Sequence, residues 1–267
     1  MRKPFMGSVD SDENTSAASI HVAGVSVRFA TDRWVLQDID LSVIAGEIVA
    51  LLGPSGCGKS TLLRTIARLI SPDSGTVTLQ GGNSARRSSD LAYVFQDATL
   101  LPWRSVWENV RLPLEIGRRL DSNISSTRLI TEALLAVGLM EQDWRKFPRH
   151  LSGGMRMRCS LARALVTDPS VLLLDEPFAA LDDMLRTRMN ELLLELWQAR
   201  SRTMVFVTHN IAEAIYLSHR IAILGQGKVA AWIENQLPFP RTRQLRSSME
   251  FAQLFGQVSS KLAEVAT

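Results

Sequence analysis

Apolar and polar positions change period several times along this chain, and each change predicts an element. Ile48-Val49-Ala50-Leu51-Leu52 is an unbroken apolar run of strand length, the pattern of a strand covered on both faces. Upstream, Ile20 to Val27 and Val35 to Val43 are strand-like, punctuated by Gly24, Asp32, Asp38 and Ala45-Gly46. Thr76 to Leu79 alternates after a turn at Pro72 to Gly75. Leu91 to Phe95, Val171 to Leu174 and Thr203 to Val207 repeat the buried run, and Ile221 to Leu224 and Lys228 to Ile233 flank a Gly225-Gln226-Gly227 turn. Between these runs the period lengthens. Leu62, Leu63, Ile66 and Leu69 share a helix face, as do Leu129, Ile130, Ala133, Leu134 and Val137, which Gly138 stops. Arg156 to Leu165 is helical, and Leu185, Met189, Leu192, Leu193 and Leu196 line another helix. Ser105/Glu108 and Ser247/Glu250 read as capping boxes. The second opens a final helix whose apolar face is Phe251, Leu254, Phe255, Val258, Leu262 and Val265. Strands alternating with helices predict an α/β fold on a mainly parallel sheet, with a helical stretch from about residue 97 to 165.

Composition narrows this only a little. The 267 residues are 46% hydrophobic, enough for a sizeable core. A net charge of +3 does not by itself argue for nucleic acid. No stretch reaches the roughly 18 apolar residues of a bilayer span. Residues 1–19 are polar, are expected to be a disordered tail and carry no apolar signal core, which points to the cytosol. The two cysteines, Cys57 and Cys159, both fall in candidate functional segments and fit a reducing compartment. Arg86 and Arg87 read as a solvated face. Trp103, Trp107 and Trp144 concentrate in the helical stretch, as core or as a surface that meets something apolar.

The chemistry begins after the first buried run. Gly53-Pro54-Ser55-Gly56-Cys57-Gly58-Lys59-Ser60, followed by Thr61, has the spacing of a phosphate-binding loop, with a strand before it and a helix after it. Glycines there let successive N–H groups turn inward on phosphate oxygens. Lys59 is expected to reach the β- and γ-phosphates and Ser60 to give a hydroxyl to Mg²⁺. Further candidates sit at the carboxyl ends of strands, the ligand side of an open α/β sheet. Gln96 is placed to ligate Mg²⁺ and orient water. Asp175 is placed to hold Mg²⁺, Glu176 to accept a proton from attacking water, and His209 to donate to a γ-phosphate. Phe29 is a candidate to stack on an adenine ring, or else a core residue. Leu151-Ser152-Gly153-Gly154-Met155 precedes a helix and is a second potential anion site.

The order of these motifs, with Leu181-Asp182 between Glu176 and His209, resembles the ATP-binding subunit of ABC transporters over about Ile20 to Ile233. Leu-Ser-Gly-Gly separates that family from other phosphate-loop ATPases. Phe95-Gln96-Asp97, Leu101-Pro102-Trp103, Glu108-Asn109-Val110, Asp175 to Asp182 and Pro238-Phe239-Pro240-Arg241 look like the nitrate/sulfonate/taurine importer group, which also includes pyrimidine-precursor importers. Met155 replaces the family's usual glutamine, and Phe29 stands where tyrosine is commoner. The resemblance implies an ATPase domain of residues 20–236 with an N-terminal antiparallel β subdomain and a helical subdomain inserted at about 97–165, then a basic linker and amphipathic helix over 237–267. It implies ATP and Mg²⁺ as cofactors and a head-to-tail homodimer holding two ATP molecules. In it, Leu151 to Met155 and Asp182 of one subunit would meet the ATP on the other's phosphate loop. The remaining implied partners are a membrane permease touching the Gln96 and Trp103 region and, indirectly, a periplasmic or surface solute-binding protein, with no nucleic acid. The location would be peripheral, on the cytoplasmic membrane face. An exporter or lipid-transport subunit and a non-transport ATPase are the alternatives.

Overall fold

The computed structural model describes residues 17–29, 33–81, 91–117 and 123–266. Arg86 and Arg87 lie outside them. Two sheets carry the chain. The smaller contains β1 (Ala18–Arg28), β2 (Trp34–Val43) and β4 (Ser74–Gly81) in the order β2-β1-β4, all antiparallel. This is the antiparallel β subdomain; its first strand starts two residues before the expected Ile20.

The larger sheet has six strands. In spatial order they are β5 (Leu91–Val94), β6 (Val171–Asp175), β7 (Thr203–Val207), β3 (Ile48–Leu52), β8 (Arg220–Gly225) and β9 (Lys228–Glu234). All neighbours are parallel except β9, which returns antiparallel beside β8. Every residue of β3, β6 and β7 is buried, as their unbroken apolar runs require. Neighbours along each strand feed opposite cores because side chains alternate across a sheet. Ile48, Ala50, Leu52, Leu172, Leu174, Met204 and Phe206 join the helical side. Val49, Leu51, Val171, Leu173, Val205 and Val207 join the side covered by the β subdomain and α1 (Lys59–Ile66). A one-residue slip would swap both sets, so the register is firmly fixed.

Three helices form the central helical part: α2 (Val106–Ile116), α3 (Asn123–Ala136) and α4 (Gly153–Leu165). The Ser105/Glu108 capping box is present, with the Ser105 N–H donating to Glu108 Oε2 at 2.8 Å. Trp107 packs on Trp144, ring centres 5.3 Å apart, so these two belong to the core; Trp103 stays 70% exposed. The remaining helices are α5 (Asp183–Ala199), α6 (Ile211–Leu217) and α7 (Met249–Ala266).

Two local expectations need correction. Leu69 does not continue α1, because Arg68 turns left-handed (φ 59°) and leaves Leu69 57% exposed. The cap of α7 is Ser248, whose hydroxyl accepts from the Phe251 N–H at 3.1 Å. Ser247 instead donates to the Gln244 carbonyl, closing a short 3₁₀ turn.

Candidate functional site

The glycine loop leaves the buried end of β3 under tight steric control. A Cβ on Gly53 (φ 155°) would lie 2.3 Å from the Leu224 carbonyl oxygen. One on Gly58 (φ 103°), which caps α1, would lie 2.8 Å from the Val35 carbonyl oxygen. Both positions therefore require glycine. Lys59 is buried, and its ammonium donates to the Gly53 and Pro54 carbonyls at 2.8 and 2.9 Å. The ammonium thus sits over the mouth of its own loop, where an incoming phosphate would compete for it. Cys57 is buried 3.9 Å from that ammonium, and burial pushes its thiol up despite the nearby charge. Beside Ser55, Gly56 and Cys57 opens a cleft of about 600 Å³, whose far wall includes Trp34 and Val35.

Ser60, on the first turn of α1, donates to Asp175 Oδ1 at 2.6 Å across 115 residues of sequence. Asp175 ends β6 and is buried, and its other oxygen accepts from the Tyr93 hydroxyl at 2.8 Å with Arg64 at 3.7 Å. Tyr93 is held well above the ordinary phenol range, first by burial and then by this carboxylate. A hydroxyl beside a carboxylate is a hard-oxygen donor pair that fits Mg²⁺. Among the described residues no cluster of three or more His, Cys, Asp or Glu forms a cation cage, so an ion here would complete its shell with phosphate and water.

Glu176 faces elsewhere. Its backbone is left-handed (φ 47°), rare for a residue with a long side chain, and its N–H donates to the Val207 carbonyl at 3.1 Å. That turn breaks the strand alternation and sets Glu176 Oε2 3.2 Å from His209 Nδ1. Two adjacent acids therefore divide: Asp175 toward Ser60, Glu176 toward His209. Phosphate loop, metal-type pair and acid–imidazole pair come together at the carboxyl ends of β3, β6 and β7.

The other expected residues stand apart. Gln96 lies two residues beyond β5 and is exposed. Phe29 is 49% exposed at the end of β1, open to stacking rather than in the core. Leu151 is buried, whereas Ser152 and Gly153 are exposed. The Ser152 hydroxyl caps α4 by accepting from the Met155 N–H at 3.2 Å. A Cβ on Gly154 would come within 2.6 Å of Leu185, so that glycine lets α4 press on α5. The Asp182 carboxylate caps α5 by accepting from the Leu185 N–H at 3.0 Å. Thr61 is half-buried, its carbonyl accepting from Thr65.

Sequence reasoning missed Tyr93, Arg64 and Trp34. Tyr93 lay in plain sight on a strand expected to be buried, where a phenol needs a polar partner. Trp34 carries the Arg28 guanidinium 5.2 Å above its ring, and nothing in its local sequence signals that it borders the loop.

Comparison with known proteins identifies the family. The ABC transporter family profile matches residues 36–179. The aliphatic sulfonates import ATP-binding protein of Bacillus cereus is 38% identical over 87% of this chain and 92% of its own length. Its counterpart from Zymomonas mobilis is 41% identical, over 84% and 89%. Among solved structures, a dimeric ATP-binding cassette in a post-hydrolysis state, bound to ADP and Pi, superimposes with a TM-score of 0.71 at 30% identity, covering 82% of this chain and all of that one. The chain therefore belongs to the ABC transporter family, as an ATP-binding subunit whose ATP hydrolysis is coupled to transport.

Proposed function

We propose that this chain powers a membrane importer of small sulfonate-type anions, working as a head-to-tail homodimer with two ATP molecules at the interface. One observation carries the dimer: the site is divided. Lys59, Ser60, Asp175, Glu176 and His209 converge on one sheet edge, while Ser152 and Gly153 stand exposed at the start of α4 with the serine hydroxyl spent on its own helix. A second copy supplies the missing wall, and the dimeric cassette holding ADP and Pi supports that arrangement. ATP then completes the interface and shifts the open–closed equilibrium.

Within each site, Lys59 and the loop amides hold the phosphates, and Phe29 or Trp34 offers the base an aromatic face. Ser60 and Asp175, with Gln96 drawn in from its loop, would hold Mg²⁺, which neutralises charge developing on the transferred phosphoryl group. Glu176 accepts the proton of the attacking water while His209 steadies the γ-phosphate. The permease side would be the groove of about 420 Å³ between β5 and α2, where Phe95, Leu112 and Ile116 lie. Trp103 and Ile116 are more than two-thirds exposed, an apolar surface suited to a short helix. Among the described residues no helix is long and apolar enough to cross a membrane. The proposal therefore places the chain peripherally, on the cytoplasmic membrane face, with an extracytoplasmic binding protein delivering the solute. The sulfonate class rests on the named activity of the relatives.

Tagged Glu176→Gln protein with Mg-ATP, purified gently from host membranes, should bring down a multi-span protein in equal amount. A host lacking the chain should stop growing on an aliphatic sulfonate as sole sulfur source and still grow on sulfate. A soluble partner alone would refute the transporter assembly. Undiminished growth on sulfonates would refute the substrate class.

A further inference from the structure

Behind His209 runs a buried polar chain that the catalytic reading does not use. Thr208, the residue before His209, is buried and hydrogen-bonds through its hydroxyl to Glu213 Oε2; the same hydroxyl accepts from the Asn210 N–H at 3.0 Å. Glu213 lies on α6 and is 5% exposed. The Asn190 amide satisfies both of its neighbours in one orientation only, and in that orientation its nitrogen donates to Glu213 Oε1 at 2.9 Å while its oxygen accepts from Arg246 Nη2 at 3.2 Å. Asn190 is 1% exposed on α5. Arg246 belongs to the short 3₁₀ segment that precedes α7, and its guanidinium lies 4.4 Å from the Tyr216 ring centre. Four elements are thus tied, from the C-terminal segment through α5 and α6 to the loop that carries His209.

The segment is fastened on both sides. Arg243 pairs with Glu191 of α5. The Tyr216 hydroxyl of α6 donates to the Arg241 carbonyl at 3.1 Å, and Arg241 donates back to the Ile215 carbonyl at 2.7 Å. A carboxyl buried as deeply as Glu213 is tolerated only with its acceptors filled and a cation within reach. Thr208 and Asn190 fill them, and Arg186, His209 and Arg246 all lie near enough to act on its charge.

We infer that Arg246, acting through Asn190, Glu213 and Thr208, is a positioning residue for His209, so that the C-terminal segment holds the catalytic loop in its working geometry. The inference rests on the proposed role of His209. Withdrawing Arg246 frees the Asn190 amide to turn, and Glu213 must then shift to keep its acceptors filled. That shift loosens the Thr208 bond, and His209 loses its fixed distance to Glu176. The phosphate loop lies on another strand and is untouched, so nucleotide binding should survive.

The test is a double-mutant cycle of Arg246→Ala with His209→Ala, read as steady-state ATPase activity of full-length protein well below its melting temperature. His209→Ala should lower kcat by about a hundredfold. Arg246→Ala should lower kcat about three- to tenfold with KM for ATP within about twofold of wild type, and should have no further effect on a His209→Ala background. A contribution confined to stability would move the melting temperature and leave kcat alone. If His209→Ala lowers kcat and Arg246→Ala does not, or if Arg246→Ala costs the same factor in both backgrounds, the positioning role is overturned while the assignment of His209 stands. If His209→Ala leaves kcat unchanged, that assignment falls first. Should Arg246→Ala not fold, Asn190→Ala breaks the same chain one link further in and is judged by the same outcomes.

Discussion

Tyr93→Phe isolates the support of the metal-type pair without touching the pair itself. The substitution removes one oxygen, the phenol that donates to Asp175 Oδ2 at 2.8 Å, and keeps the ring that packs 4.5 Å from Phe95. Asp175 is 4% exposed, so water does not easily replace the lost donor; Arg64, at 3.7 Å, replaces only part of it. A hydrogen bond to a charged group contributes about 1.5–3 kcal/mol, and partial compensation by Arg64 puts the expected loss near the lower figure, about 1.5 kcal/mol. For a domain of this size that corresponds to a fall in Tm of about 3–6 °C.

The effect on the ion follows from orientation. With its outer oxygen no longer held, the carboxylate rotates, and loss of such a supporting hydrogen bond costs about 10–100-fold in metal affinity. ATPase activity titrated with free Mg²⁺ at saturating ATP should show the half-saturation point raised about tenfold, with kcat at excess Mg²⁺ nearly restored. A Mg²⁺ curve that superimposes on wild type, together with the lowered Tm, would refute the placement of the ion between Ser60 and Asp175.

Three further outcomes are expected. Gly58→Ala drives a Cβ to 2.8 Å from a backbone oxygen at φ 103°, so ATP binding measured by calorimetry should be lost, while Gly56→Ala, with open space around its Cβ, should be milder. The Cys57 thiol is raised by burial, so maleimide labelling followed by peptide mass should be slow at neutral pH, accelerate with rising pH as thiolate forms, and be blocked by Mg-ATP; labelling that ignores ATP would contradict the site. Cys159, with its thiol pushed up to about 12, should stay silent throughout. Asp168 is raised by burial, but hydrogen bonds from Arg200 and Arg202 outweigh this and leave its carboxyl below the ordinary range. Its stabilising contribution is therefore present above the unfolded carboxyl's range and lost as pH falls through the lower folded value. Asp168→Asn keeps the left-handed backbone at that position but strands the buried Arg202, costing about 2–3 kcal/mol in denaturant titrations at pH 7 after discount for the one-third exposure of Asp168, with the gap closing in acid.

Much of the candidate site was legible because each candidate group follows a local signal. Lys59 and Ser60 sit in a contiguous glycine pattern, while Asp175, Glu176 and His209 each end an apolar run, and the carboxyl ends of parallel strands share one edge. Arg64 was not legible and Tyr93 only half so: a buried phenol needs a partner, but that the partner is Asp175 is a distance between residues far apart in the chain. The paired orientation of Glu176 and His209 was also hidden, since no sequence rule makes a glutamate adopt φ 47°. The cap of α7 slipped from Ser247 to Ser248 because two serines offer equivalent local patterns and only the preceding 3₁₀ turn, which occupies the Ser247 hydroxyl, chooses between them.

By itself the sequence determined the α/β class, the position of the phosphate loop between strand and helix, and the identity of the acids and the imidazole. All of these follow from short-range periodicity and from steric demands that neighbouring residues impose on one another. Tertiary structure alone decided which acid faces Ser60 and which faces His209, that Ser152 and Asp182 spend their side chains capping their own helices, and that Arg246 packs over the Tyr216 ring beside Asn190. Those facts depend on contacts between elements far apart in the chain, and a contact of that kind leaves no periodic trace in either partner.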